Sequence, residues 1–117
     1  MAKDNTKITY EENEDILSLW RGKPSKASIE VGDFIVDIDS QGYISGLEIL
    51  NASENMKLKP FVLSKIEKAS MSVLYRQNYV SIFLSFKIEG RENNVSIPLT
   101  INLGHKKTEK EQVVFSR

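Results

Sequence analysis

The longest regular pattern in this 117-residue chain is a period-two alternation towards its C-terminal end. Val80, Ile82, Leu84, Phe86 and Ile88 share one parity, against Tyr79, Ser81, Phe83, Ser85, Lys87 and Glu89 on the other. Beyond a turn over 90–94, Val95, Ile97, Leu99, Ile101 and Leu103 repeat the pattern against Ser96, Pro98, Thr100 and Asn102. Successive side chains of a strand point to opposite faces, so the pattern demands two long strands with one apolar face each. A one-residue slip would turn the whole apolar row to water, which fixes the register. Pro98 has no N–H to give to a ladder, so either its strand lies at a sheet edge or its nitrogen points out of the ladder.

The first half reads the same way in shorter units. Residues 1–6 are polar and have the character of a loose terminus. Strands are expected over 7–10 and 15–20, around the polar turn 11–14, with Leu17 and Leu19 on one face and Ile16, Ser18 and Trp20 on the other. Gly22 and Pro24 mark 21–26 as a loop, and 28–31 is a brief strand. Over 33–39, Phe34, Val36 and Ile38 alternate with Asp33, Ile35, Asp37 and Asp39. The chain reverses at Ser40, Gln41 and Gly42. On the return strand the apolar phase changes, from Ile44 to Leu47 and Ile49, with Gly46 between them, which predicts a β-bulge near Ser45 and Gly46.

Residues 51–59 read as a linker. Pro60, Phe61, Val62, Leu63 and Ile66 suit a short helix over 60–67, although a strand fits nearly as well. Further strands are expected at 71–76 and 112–116, with a charged loop over 105–111. The expected fold is therefore mainly β (α+β): an antiparallel β-sheet or small sandwich of meander hairpins, with one short helix near residues 60–67. A single domain over 1–117 is expected from the length.

Composition bounds the functions. A 40% hydrophobic, 27% charged chain is of ordinary globular type. No apolar run reaches the roughly 20 residues that span a bilayer, and the N-terminal segment has no signal-peptide core. Cysteine is absent, which removes disulfides and thiolate chemistry. These features make a cytoplasmic protein the expectation, with no membrane association. Net charge is zero, but residues 1–54 hold 11 acids and 5 bases while 55–117 hold 5 acids and 11 bases.

Asp37, Asp39, Gln41, Gly42, Ile44 and Glu48 stand at the spacing of a calcium-binding EF-hand loop. The flanks alternate as strands, however, and in a hairpin Glu48 lies too far down the ladder to share an ion with both aspartates. No metal site is expected; Asp37 and Asp39 are the weak candidates, and no cofactor is implied. The lone His105 sits in a charged stretch and reads as a solvated residue, and no serine has a nucleophile-elbow setting, so no catalytic residues and no enzymatic activity are expected. Lys57, Lys59, Lys65, Lys68 and Arg76, with Lys106, Lys107 and Lys110 in reserve, are candidates for a nucleic-acid surface, beside which Tyr75 and Tyr79 could stack on bases. The leading expectation is a non-enzymatic protein-interaction module that binds a protein partner or itself as a homodimer through an exposed edge strand of the last hairpin, with Phe83, Tyr79 and Pro98 as its contact residues.

Two stretches carry a resemblance. Ile8, Thr9 and Tyr10, then Glu14, Asp15, Ile16 and Leu17, and later the run FIVDIDSQGYISGLEILNAS are similar to the small prokaryotic family known as domain of unknown function 2283. The resemblance covers residues 8–53, leaving 54–117 as a helix and a C-terminal hairpin extension. It implies a compact β-rich fold and no established catalytic role. The association of some relatives with small toxin-like proteins implies an antitoxin-like, partner-binding role. Gln41 stands where relatives often carry an acid.

Overall fold

The computed structural model describes residues 6–90 and 95–117. The loose terminus and most of the turn expected over 90–94 lie outside the described residues. The first sheet holds β1 (Lys7–Glu11), β2 (Ile16–Trp20), β3 (Ala27–Val31), β4 (Phe34–Ile38) and β5 (Ile44–Ile49), in the order β1-β2-β5-β4-β3. Two short helices follow, α1 (Ala52–Met56) and α2 (Pro60–Leu63). The second sheet holds β6 (Ile66–Tyr75), β7 (Val80–Ile88), β8 (Val95–Ile101) and β9 (Glu109–Ser116), in the order β8-β7-β6-β9. Every pairing is antiparallel. The fold is mainly β, as the alternation requires.

Each sheet turns one apolar face into a common core. Leu17, Leu19, Val36, Ile38, Leu47 and Ile49 come from the first sheet, and Met71, Val73, Ile82, Leu84, Phe86, Val113 and Phe115 from the second. Removing these faces from water is the main force holding the sheets together, at about 1.5–3 kcal/mol for each large side chain. The predicted alternation of β7 is reproduced, with Val80, Ile82, Leu84, Phe86 and Ile88 all buried. Pro98 lies in β8, which is an edge strand.

The bulge sits where the phase change places it. Ile38 faces Ile44 and Asp37 faces Gly46, so Ser45 is the extra residue of β5. It turns both Ile44 and Leu47 into the core, and the buried Ser45 hydroxyl meets Ser25 Oγ at 3.0 Å. A Cβ on Gly46 would stand 3.1 Å from both Asp37 Oδ2 and the Leu19 carbonyl oxygen, so a larger residue there would press on β2 and β4.

Four local expectations are corrected. The 51–59 linker contains α1, because Asp15, from the turn before β2, accepts hydrogen bonds from the Ser53 N–H (3.0 Å) and hydroxyl (2.6 Å). That cap comes from 38 residues away and leaves no local signature. Asp15 has φ 57 and belongs to this turn rather than to β2. The helix expected over 60–67 ends at Leu63, and Ile66 already pairs with Ile88, so helix and strand follow one another. The 105–111 loop is shorter than expected, since Glu109 already lies in β9 opposite Tyr75.

Strand directions gather four connections, 21–26, 39–43, 76–79 and 102–108, at one end of the molecule. The His105 N–H donates to the Arg76 carbonyl (2.9 Å), joining two of these connections, and the Arg21 N–H donates to the Ser45 carbonyl (3.1 Å), tying a third to β5.

Candidate interaction surface

A buried polar network sets the position of β9 and therefore the composition of the surface above it. Glu109 and Glu111 both point to the inner side of β9, and both find partners there. Arg21, at the end of β2 and only 5% exposed, donates to Glu111 Oε2 at 2.7 Å and to the Ile44 carbonyl at 3.1 Å. The fully buried Tyr75 hydroxyl donates to Glu111 Oε1 at 2.7 Å and accepts the Ile44 N–H at 3.0 Å. Burial and the neighbouring Glu111 carboxylate push the Tyr75 phenol far above its ordinary range, so it acts as a neutral donor. The Tyr43 hydroxyl donates to Glu109 Oε2 at 2.7 Å, and that bond together with desolvation raises its pKa.

With its acids held inward, β9 presents Lys110, Gln112 and Val114 outward. The registers of the second sheet then place three rows on its outer face: Thr100, Ser81, Leu74 and Lys110; Pro98, Phe83, Ser72 and Gln112; Ser96, Ser85, Ser70 and Val114. A basic row of Lys87, Lys68 and Ser116 closes the face at one end. Of the twelve positions in the three rows only Lys110 is charged. Phe83 and Val114 are each 48% exposed, and a trough of about 520 Å³ runs beside Phe83 between Ser72, Leu74, Ser81 and Gln112. The outer face of the first sheet is of the opposite kind. Its rows carry Lys7, Asp37, Glu48, Glu30 and Glu11 around the exposed Trp20. Such a face is solvated by its charges, whereas the middle of the second sheet's face is wetted mainly by hydroxyls, with Lys110, Lys68 and Lys87 at its margins.

The structure brings together part of the sequence-derived partner set. Phe83 and Pro98 are direct cross-strand neighbours, and Tyr79 lies just before β7, 37% exposed, with the Arg76 guanidinium 5.9 Å from its ring centroid. Leu74, Val114 and the hydroxyl rows were missed, because pairing across β6, β7 and β9 is not written in any one strand. The basic set is dispersed. Lys57 and Lys59 flank the two helices, while Lys68 and Arg76 lie eight residues apart at opposite ends of β6, roughly 26 Å at 3.3 Å per residue. Tyr75 has no exposed surface, which corrects its reading as a base-stacking residue. His105 is corrected too: its side chain is 9% exposed, with ring centroids 5.1 Å from Tyr43 and 4.7 Å from Tyr75.

The motif acids have structural partners. Asp37 accepts the Ser28 hydroxyl at 2.7 Å, and Asp39 Oδ1 accepts the N–H groups of Gln41 and Tyr43 at 2.9 and 3.0 Å, closing the hairpin tip. Among the described residues no group of three or more His, Asp or Glu is placed to hold a metal ion. Asp15 gathers the other end of the motif, accepting the Tyr10 hydroxyl at 2.7 Å as well as Ser53. Partial burial raises the Asp15 carboxyl, but the bonds from Ser53 and Tyr10 outweigh it and hold the group below its ordinary value. Burial and the bond to Asp15 together raise the Tyr10 phenol.

Among the described residues no helix is long and apolar enough to cross a membrane. No solved structure matches the chain. An uncharacterized protein of Methanocaldococcus jannaschii is 37% identical over 60 residues, which is 50% of this chain and 52% of that protein. The chain thus spans about half the length of this curated relative. Residues 7–53, the whole first sheet with the clasp that Tyr10, Asp15 and Ser53 form at its end, match the family described as protein of unknown function (DUF2283).

Proposed function

We propose that this protein is a non-enzymatic interaction module, and that the outer face of the second sheet docks onto the same face of a second copy. The observation that carries the reading is Phe83, half exposed at the middle of twelve positions with a single charge among them. A twofold interface sets one patch against itself, which penalises patches rich in like charge and tolerates one of serines, threonines and apolar side chains. The size of the patch sets the strength. Four strands at about 4.8 Å and three rows at about 6.7 Å give roughly 20 by 20 Å, about half of the 800 Å² that each partner contributes to a standard interface. The dimer is therefore weak and concentration-dependent.

Light scattering across a concentration series tests this. The expected result is a reversible rise from monomer to dimer mass, abolished by Phe83→Glu without change in the circular dichroism spectrum. A wild-type chain that stays monomeric at the highest concentration overturns the reading. So does a dimer that Phe83→Glu leaves intact.

A further inference from the structure

The four connections gathered at one end differ from the rest of the molecule in charge. Between them, 21–26, 39–43, 76–79 and 102–108 hold Arg21, Lys23, Lys26, Arg76, Lys106 and Lys107 against one acid, Asp39. Arg21 is bound to Glu111, and the Asp39 carboxylate is occupied by the hairpin-tip N–H groups. The cations left facing solvent come from three separate loops, a grouping that strand topology creates and that keeps Arg76, Lys106 and Lys107 of the sequence-derived basic set, adds Lys23 and Lys26, and leaves out Lys57, Lys59, Lys65 and Lys68. The opposite end is mixed, with Glu12, Glu14, Asp33 and Glu54 set against Lys57, Lys59 and Lys65.

Open clefts run between these loops. One of about 570 Å³ lies between the hairpin tip and the 104–109 segment, lined by Gln41, Tyr43, His105, Lys106 and Lys107 and by Glu109, whose carboxylate accepts the Tyr43 hydroxyl. A second, of about 250 Å³, shares Ser40 and Gln41 with it and carries Lys23 and Lys26. The third, of about 260 Å³, begins at Thr108, next to Lys107, and holds Arg76, Gln77, Asn78 and Tyr79. We infer that this basic end binds single-stranded nucleic acid, its backbone following the lysines along the row of clefts and a base stacking on Tyr79. Three properties select that ligand. Positive charge spread over a row of clefts matches a chain of phosphates rather than one anion. Tyr79 offers a ring face beside the Arg76 guanidinium, which suits an unpaired base. Gln41, Gln77 and Asn78 are exposed carboxamides able to hydrogen-bond base edges.

The test is fluorescence anisotropy with a short labelled oligo(dT) at low salt. Binding that weakens steeply with added salt is expected. The double variant Lys106→Gln/Lys107→Gln and the single variant Tyr79→Ala are each expected to weaken it about tenfold or more, while Lys57→Gln/Lys65→Gln at the opposite end leaves it unchanged. No anisotropy change at low salt overturns the inference. Equal losses from variants at both ends, indifference to Tyr79→Ala, or equal affinity for a duplex of the same sequence length overturn it as well. The readout is independent of self-association, since Phe83→Glu lies outside the clefts named and leaves oligonucleotide binding intact.

Discussion

Arg21 and Glu111 stand 90 residues apart in the chain and 2.7 Å apart in space, one closing the first sheet's β2 and the other inside β9 of the second sheet. The pair is a polar rivet through the seam, beside the Tyr43–Glu109 and Ile44–Tyr75 bonds that cross it. Arg21→Ala leaves the Glu111 carboxylate half-buried with only Tyr75 as partner, and is expected to destabilise the fold by about 3 kcal/mol. The double replacement Arg21→Met/Glu111→Leu removes both charges together and is expected to recover most of that loss. Urea denaturation of the two variants checks both values.

Asp15 acts as a cap supplied from a distance. Asp15→Ala removes the acceptor for Ser53 and Tyr10 and also puts an ordinary side chain at φ 57, so a loss of about 2 kcal/mol is expected. Asp15→Asn keeps the tolerated backbone conformation and part of the bonding, and should lose less. Because the folded carboxyl is held below its unfolded value, its contribution is present above about pH 4 and fades as pH falls through the folded value. Acid titration of stability should show that component missing in Asp15→Asn.

Tyr75 predicts the alkaline side. Its folded pKa is raised, so its contribution is complete below the unfolded value of about 10 and is lost as pH rises beyond it. Stability should fall by about 1 kcal/mol per pH unit above pH 10, somewhat under the full linkage slope of roughly 1.4. Tyr75→Phe is expected to flatten that fall and to cost about 1–3 kcal/mol at neutral pH, since the Ile44 N–H and Glu111 each lose a partner. Thermal melts from pH 8 to 11 distinguish the two effects.

Gly104 supports the loop that carries His105. A Cβ there would stand 2.6 Å from the backbone carbonyl oxygen of Gln77, an atom unable to swing aside. Gly104→Ala is therefore expected to destabilise by about 2 kcal/mol and to separate the 76–79 and 102–108 connections. Increased amide hydrogen exchange at His105, whose N–H bonds to Arg76, reports the separation.

What the sequence made legible is what period two controls. The faces of β4 and β7, the edge position of Pro98 and the bulge at Ser45 all follow from which parity is apolar, a property of neighbouring residues. What it hid depends on partners far along the chain. α1 needs Asp15, β9 starts early because Glu109 and Glu111 find Tyr43, Arg21 and Tyr75, and His105 is sheltered by two tyrosines from other strands. The outer face of the second sheet was half visible. Phe83 stands out in its own strand as an aromatic on the polar parity, while its neighbours Leu74 and Val114 join it only through pairing.

The stretch shared with the family, residues 7–53, runs through the whole first sheet and into α1, as far as Ser53. In this chain the apolar side of that sheet, with Leu17, Leu19, Val36, Leu47 and Ile49, is roofed by β6 to β9. A chain consisting of the shared stretch alone would have no such roof. In this chain the second sheet supplies the cover that keeps that apolar side from water.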